Sequence, residues 1–160
     1  MSNFAIRAGP DDAAHKDAQR KTGFWGSRGA GFMVVSSSTG RFLIGQRSAL
    51  VPEPGTWGTW GGAVDRNETP LQGAHREFFE ETGLVDSYTT SDLYVYRKGE
   101  FTFYNYLAMV DEEFTPALSK ETSQAGWFQL GDFPTPFHFG LIAILQDRRT
   151  YLLLKELSHV

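Results

Sequence analysis

The chain has 160 residues, enough for one domain with a substantial core, and its 41% apolar and 21% charged composition is that of an ordinary soluble globular protein. A net charge of −4 argues against a general nucleic-acid coat, and the absence of cysteine excludes disulfides, zinc thiolates and thiol nucleophiles. No apolar run approaches the roughly 18 residues that span a bilayer, and no signal-peptide core is visible, so a cytoplasmic protein is expected.

In chain order, residues 1–22 stand apart. Asp11 to Lys21 is charged and alanine-rich with sparse apolar residues, which predicts an N-terminal arm ahead of a domain covering 23–160. Ala30 to Ser36 reads as a buried strand, Ser37 to Gly40 as a turn, and Arg41 to Arg47 as the hairpin partner. Val51 to Gly62, rich in Gly and Pro with Trp57 and Trp60, reads as a loop entering a short strand. Leu93 to Tyr96 and Phe101 to Val110 form a second predicted hairpin around Lys98-Gly99-Glu100. A loop over Asp111 to Lys120 precedes a strand near Gly126 to Leu130. Phe137 to Leu157 has helical apolar spacing, broken near Asp147 to Thr150. Many strands and few helices place the chain in the α+β class or in a mixed sandwich.

One helix is bounded by its own signals. Thr69 can cap it, Pro70 suits its first position, and Gly83 suits the left-handed stop, so the helix is predicted over 70–82. At 100° per residue, Leu71, Ala74 and Phe78 form the flank that packs on the sheet. Glu77, Glu80 and Glu81 share a neighbouring flank, with Arg76 close enough in angle to Glu80 to neutralise part of their charge. A solvated acidic face is the ordinary explanation of such a cluster. Two features argue against it. Like charges at i,i+4 are mutually destabilising, and Gly73 spends helix stability on the same flank, as if something, a ligand or a loop, must come close there. Dense carboxylates invite a divalent cation, and carboxylate-held Mg²⁺ characteristically serves a phosphate chain.

Residues 62–84 then match a known pattern at all nine defined positions: Gly62, Glu68, Arg76, Glu77, Phe78, Glu80, Glu81, Gly83 and Leu84 fill Gly-x5-Glu-x7-Arg-Glu-U-x-Glu-Glu-x-Gly-U, where U is bulky and apolar. The segment resembles the Nudix box of the MutT-like hydrolases. Trp57 to Gly62 resembles the family's lead-in, with Trp60 in place of the usual proline, and Trp127 to Leu130 with Asp132-Phe133-Pro134 resembles its late strand and turn. The resemblance implies an α/β/α sandwich around a mixed sheet and a Mg²⁺-dependent hydrolase, with Mn²⁺ as a substitute, acting on a nucleoside diphosphate linked to another group. By motif position, Glu80 and Glu81 inherit metal binding, Glu77 inherits metal or water binding beside Arg76, Glu68 orients Arg76, and the Gly61 carbonyl is a further ligand. Gly62 and Gly83 are structural members of the box. The general base is either a box glutamate or a later loop glutamate; Glu121, six residues before Trp127, matches the latter.

Outside the box, Trp57 and Trp60 are either base-stacking residues or core aromatics. Tyr94, Tyr96, Phe101, Phe103, Tyr104 and Tyr106 are sheet residues of which one or two can reach a base pocket, Tyr104 being the one singled out. Arg47 contacts a phosphate or lies on the surface. His15, His75, His138 and His159 lack metal-ligand spacing. The expected partner is a small nucleotide, with neither membrane nor stable nucleic acid, and a monomer or homodimer. A nucleoside triphosphate cleaved to the monophosphate and pyrophosphate is the leading substrate. A nucleoside diphosphate sugar, or a non-catalytic nucleotide-binding module, is the alternative.

Overall fold

The computed structural model describes residues 27–84 and 87–158; the predicted N-terminal arm lies outside them. Its centre is β1 (Arg28–Ser36), in which every residue after Arg28 is buried. A strand buried on both faces needs a layer above and a layer below, and its side chains supply both. Ala30, Phe32 and Val34 enter one core with Leu43, Trp60, Ala74 and Phe78, while Met33 and Val35 enter a second with Phe42, Ile44, Leu141 and Leu154. Alternation along the strand thus creates two cores on opposite faces of one sheet.

The sheet is mixed. β2 (Phe42–Arg47) pairs antiparallel with the C-terminal end of β1, and β4 (Trp60–Ala63) pairs antiparallel with its N-terminal end. β6 (Phe101–Val110) runs parallel along the whole of β1 on its other side. β5 (Tyr88–Lys98) hairpins onto β6 through a two-residue turn whose Gly99 has φ 59°, a conformation that favours glycine. β3 (Trp57–Gly58) and β7 (Thr122–Phe128) both pair with β2.

Helix α1 (Pro70–Thr82) covers the first core, its bounds as predicted. Thr69 caps it in a reciprocal box with Gln72, and Gly83 ends it at φ 77°. The second core is covered by α2 (Phe139–Gln146) and α3 (Arg148–Leu157). The expected break is a single residue: Asp147 ends α2 and caps α3 by accepting from the Thr150 N–H. The α/β/α sandwich and α+β class agree with the sequence reading.

β1 and β2 differ from prediction by one or two residues at their starts, and β5 and β7 differ more. β5 begins five residues earlier than Leu93 and runs on to Lys98, because this edge strand is exposed or half-buried throughout and is set by backbone pairing to β6 rather than by an apolar pattern. β7 spans 122–128 rather than 126–130, since its partner β2 sets its extent, Phe42 facing Phe128 and Arg47 facing Thr122. Among the described residues no helix is long and apolar enough to cross a membrane.

Candidate active site

The carboxylate flank of α1 divides. Glu77 and Glu81 are 97% buried, whereas Glu80 has 48% of its side chain exposed. Angular spacing alone makes the three neighbours; β4 lies over only one side of the flank. There the Gly61 N–H donates to Glu81 Oε1 at 2.8 Å. Glycine is required at that point, since a side chain on Gly61 would come within 2.4 Å of the Ala30 carbonyl oxygen. Gly31 of β1 has the matching demand, its side-chain position lying 1.9 Å from the Trp60 carbonyl oxygen. The paired glycines Gly31 and Gly61 let two backbones close up beneath the helix.

Arg76 organises the opposite side. Its Nη2 donates to Glu68 Oε1 at 2.6 Å and to the Ala63 carbonyl at 2.9 Å, while Nη1 lies 3.2 Å from Glu80 Oε1 and 3.5 Å from Glu77 Oε2. Burial works against this guanidinium, but the hydrogen bond to Glu68 and the charges of Glu77, Asp65 and Glu68 outweigh it and hold the pKa above its usual value. Glu68 also accepts from the Asp65 N–H at 2.9 Å. The unexplained glycine of the helix belongs to this cluster. A side chain at Gly73 would lie 3.0 Å from Glu68 Oε1 and 3.3 Å from Val64, so a loop, not a ligand, is what approaches it.

Burial, then the charges of Glu77 and Glu121, push the pKa of Glu81 well above the usual carboxylate range, against the Gly61 hydrogen bond that favours the ionised form. Glu121 therefore belongs to the same electrostatic neighbourhood. It stands just ahead of β7, where its carbonyl accepts from the Ser48 N–H at 2.8 Å. Among the described residues no three His, Asp or Glu side chains converge closely enough to enclose a cation unaided. The donor chemistry nevertheless suits Mg²⁺: hard oxygens, buried, mutually repelling, and few in number, as for an ion that also takes water and phosphate oxygens.

Arg47 is neither on the surface nor hydrogen-bonded to a carboxylate. It is 95% buried, its Nε donates to the Pro52 carbonyl at 2.6 Å, and its Nη1 is buried without a hydrogen-bond partner. Burial lowers its pKa to about 10 despite the charges of Glu81, Glu53 and Glu121. The surface alternative is thereby corrected, because the loop from Ser48 to Thr56 folds over the side chain.

Trp57, Trp60 and Tyr104, the candidate base-contacting residues, lie as follows. Trp60 is 98% buried, with its indole N–H donating to the Leu43 carbonyl at 2.8 Å. Trp57 packs in the second core, edge-on to Phe128 at 5.8 Å. Both rings are buried, Trp60 in the first core and Trp57 in the second, as in the core-aromatic reading of the sequence. Tyr104 points to the α1 side of β6, half-buried against the first core.

On the other face of β6 lies a small recess, with about 10 Å³ of water-accessible space, lined by Thr59, Tyr96, Phe101, Phe103, Asn105, Phe139 and Gly140. Tyr96, Phe101 and Phe103 belong to the aromatic hairpin noted in the sequence; Asn105, Thr59 and Phe139 were missed. A signal existed for Asn105. The residues on this face of β6 run Phe101, Phe103, Asn105, Leu107, Met109, a single amide in an apolar row.

Residues 27–148 match the NUDIX domain family. The chain belongs to that family. Among curated relatives is a provisionally named 8-oxo-dGTP diphosphatase 3 of Mycobacterium tuberculosis, 28% identical over 139 residues, 79% of this chain. The chain spans about 64% of that relative's length. Among solved structures, the Nudix hydrolase RenU of M. smegmatis aligns with a TM-score of 0.66 and 26% identity, over 81% of this chain and 88% of that one. The MutT NUDIX hydrolase of Burkholderia pseudomallei aligns with a TM-score of 0.56 and 25% identity, over 80% and 95% respectively.

Proposed function

We propose that the chain is a Mg²⁺-dependent hydrolase of nucleotide phosphoanhydrides that cleaves a nucleoside triphosphate to the monophosphate and pyrophosphate. One observation carries the reading: Glu77 and Glu81 are buried together on one flank of α1, and Glu121, from a different loop, acts on Glu81 electrostatically.

In this reading Glu77 and Glu81 hold Mg²⁺, with the Gly61 carbonyl and Glu80 as further donors. When bound, the ion withdraws charge from the phosphate oxygens and acidifies the attacking water. Glu121 accepts the proton of that water as its oxygen bonds to phosphorus and the anhydride bond to the leaving pyrophosphate breaks. Arg76, clamped by Glu68 and the Ala63 carbonyl, keeps the flank of α1 from splaying under its own charge. Arg47, a fixed cation with one unpartnered N–H group beside Glu81 and Glu121, is suited to a phosphate oxygen.

Pyrophosphate release from a nucleotide panel with Mg²⁺ tests the reading. Glu81→Gln is expected to abolish turnover, and Glu121→Gln to lower kcat by about 10²–10⁴-fold with KM little changed. Turnover in Glu81→Gln equal to wild type would overturn the metal assignment. Full activity in Glu121→Gln would return the base role to the box.

A further inference from the structure

We propose that residues 48–56 form a lid over Arg47, latched by Glu53 against His138, and that the lid lifts before a phosphate oxygen reaches the Arg47 guanidinium. The inference rests on the hydrolase reading, in which Arg47 is suited to phosphate, and adds the step that makes it available. Arg47 is 95% buried and, among the described residues, its Nη1 is sealed from water and has no hydrogen-bond partner. An atom that water cannot touch is closed to a phosphate as well, so Arg47 serves no ligand while the loop is in place. A buried guanidinium N–H left unpaired is costly, and lifting the loop removes that cost by admitting water or an oxyanion.

The loop is held firmly at its ends and lightly in its middle. At the start the Ser48 N–H donates to the Glu121 carbonyl at 2.8 Å. At the end the Gly55 N–H donates to the Arg47 carbonyl at 2.9 Å, and the Arg47 N–H to the Thr56 carbonyl at 2.8 Å. Between them residues 49–54 form neither helix nor strand, and Val51 alone of that stretch is buried. Two polar contacts hold the tip down: Arg47 Nε donates to the Pro52 carbonyl at 2.6 Å, and His138 Nε2 lies 3.1 Å from Glu53 Oε2. Glu53 makes its contact from a backbone with φ 52°, a left-handed conformation that is costly for a residue with a side chain, so the closed loop stores strain. His138 is the fixed half of the latch, 98% buried, with Nδ1 accepting from the Gly140 N–H at 3.0 Å. Glu53 is the releasable half, with 44% of its side chain exposed. Its charge also acts on Arg47, so lifting the loop withdraws a carboxylate that competes with phosphate for the guanidinium.

Modification of the intact chain by phenylglyoxal, which attacks accessible guanidinium groups, reads the lid directly when peptide mass spectrometry follows. Glu53→Ala removes the latch, whereas Glu53→Gln keeps an oxygen acceptor for His138. In wild type Arg47 is expected to react about tenfold or more slowly than the exposed Arg149. Glu53→Ala should raise the Arg47 rate about fivefold or more, and Glu53→Gln should stay within about twofold of wild type. Arg76, itself partly buried, keeps its rate in both variants, which a general loosening of the fold would not allow. Pyrophosphate with Mg²⁺, the leaving group of the proposed reaction, should slow modification of Arg47 in Glu53→Ala by occupying the uncovered nitrogens. An Arg47 rate unaltered by Glu53→Ala, or equal to that of Arg149 in wild type, would overturn the lid. Absence of protection by pyrophosphate would overturn its link to phosphate. A wild type that turns over no nucleotide would instead overturn the hydrolase reading, while dependence of the Arg47 rate on Glu53 would still uphold the lid.

Discussion

Trp60 shows how one side chain can carry two structural duties that exclude a third. Its ring fills the first core, and its indole N–H satisfies the Leu43 carbonyl of β2, which tethers β4 to a strand with which it does not pair. Trp60→Phe keeps most of the ring but strands that carbonyl, so a stability loss of about 1–3 kcal/mol is expected by urea denaturation. Nucleotide KM should not change, and a raised KM with unaltered stability would restore the stacking role. Glu77, Glu80 and Glu81 teach a related lesson. Their types and spacing are plain in the sequence, but their burial is not, because only the approach of β4 through Gly61 decides which of them water still reaches.

At the scale of the element, α2 depends on an uncharged histidine. Its cap His138 accepts the Gly140 N–H at Nδ1, 3.0 Å away, and Nε2 lies 3.1 Å from Glu53 Oε2. A neutral ring protonated at Nε2 satisfies both contacts, whereas a proton on Nδ1 would confront the N–H of Gly140. Burial, reinforced by the charge of Arg47, accordingly holds the pKa far below the usual 6.5. The folded state therefore refuses a proton that the unfolded chain accepts below pH 6.5. This contribution is fully present above pH 6.5 and is lost as pH falls below it. Between pH 6.5 and 5, wild type should lose about 2 kcal/mol more than His138→Asn, a variant that retains a capping side chain. Parallel pH profiles of unfolding free energy for the two proteins would refute the account. The sequence marked His138 only as lacking metal-ligand spacing. Its capping role needed the contact between the segment before α2 and Trp57, whose carbonyl accepts the His138 N–H at 2.8 Å.

For the whole molecule, the proposed metal role of the carboxylate cluster predicts that folding and cation binding are coupled. Burial and the charges of Glu77 and Glu121 act against ionised Glu81, a cost that the rest of the sandwich must offset and that a divalent ion binding only the folded chain would relieve. Mg²⁺ at about 100 times its Kd is expected to add about 2.7 kcal/mol to the unfolding free energy, and the gain should largely vanish in Glu81→Gln. Thermal melts with and without the ion measure this independently of catalysis; an equal Mg²⁺ shift in both proteins would place the ion elsewhere.

The sequence by itself determined α1 to the residue, because Thr69, Pro70 and Gly83 act within one turn of the chain they bound. It also determined the two-faced burial of β1, since an unbroken apolar run demands cover on both sides, and the carboxylate set, since the box is contiguous. Tertiary structure alone decided the extent of the exposed edge strand β5, the division of the glutamates into buried and exposed, the enclosure of Arg47, and the recess around Asn105. Each of these depends on segments tens of residues apart: β4 on α1, the Ser48 to Thr56 loop on Arg47, α2 on β6. Local conformational preference and periodicity are properties of neighbouring residues, whereas burial and electrostatic environment belong to whatever distant backbone the fold brings alongside.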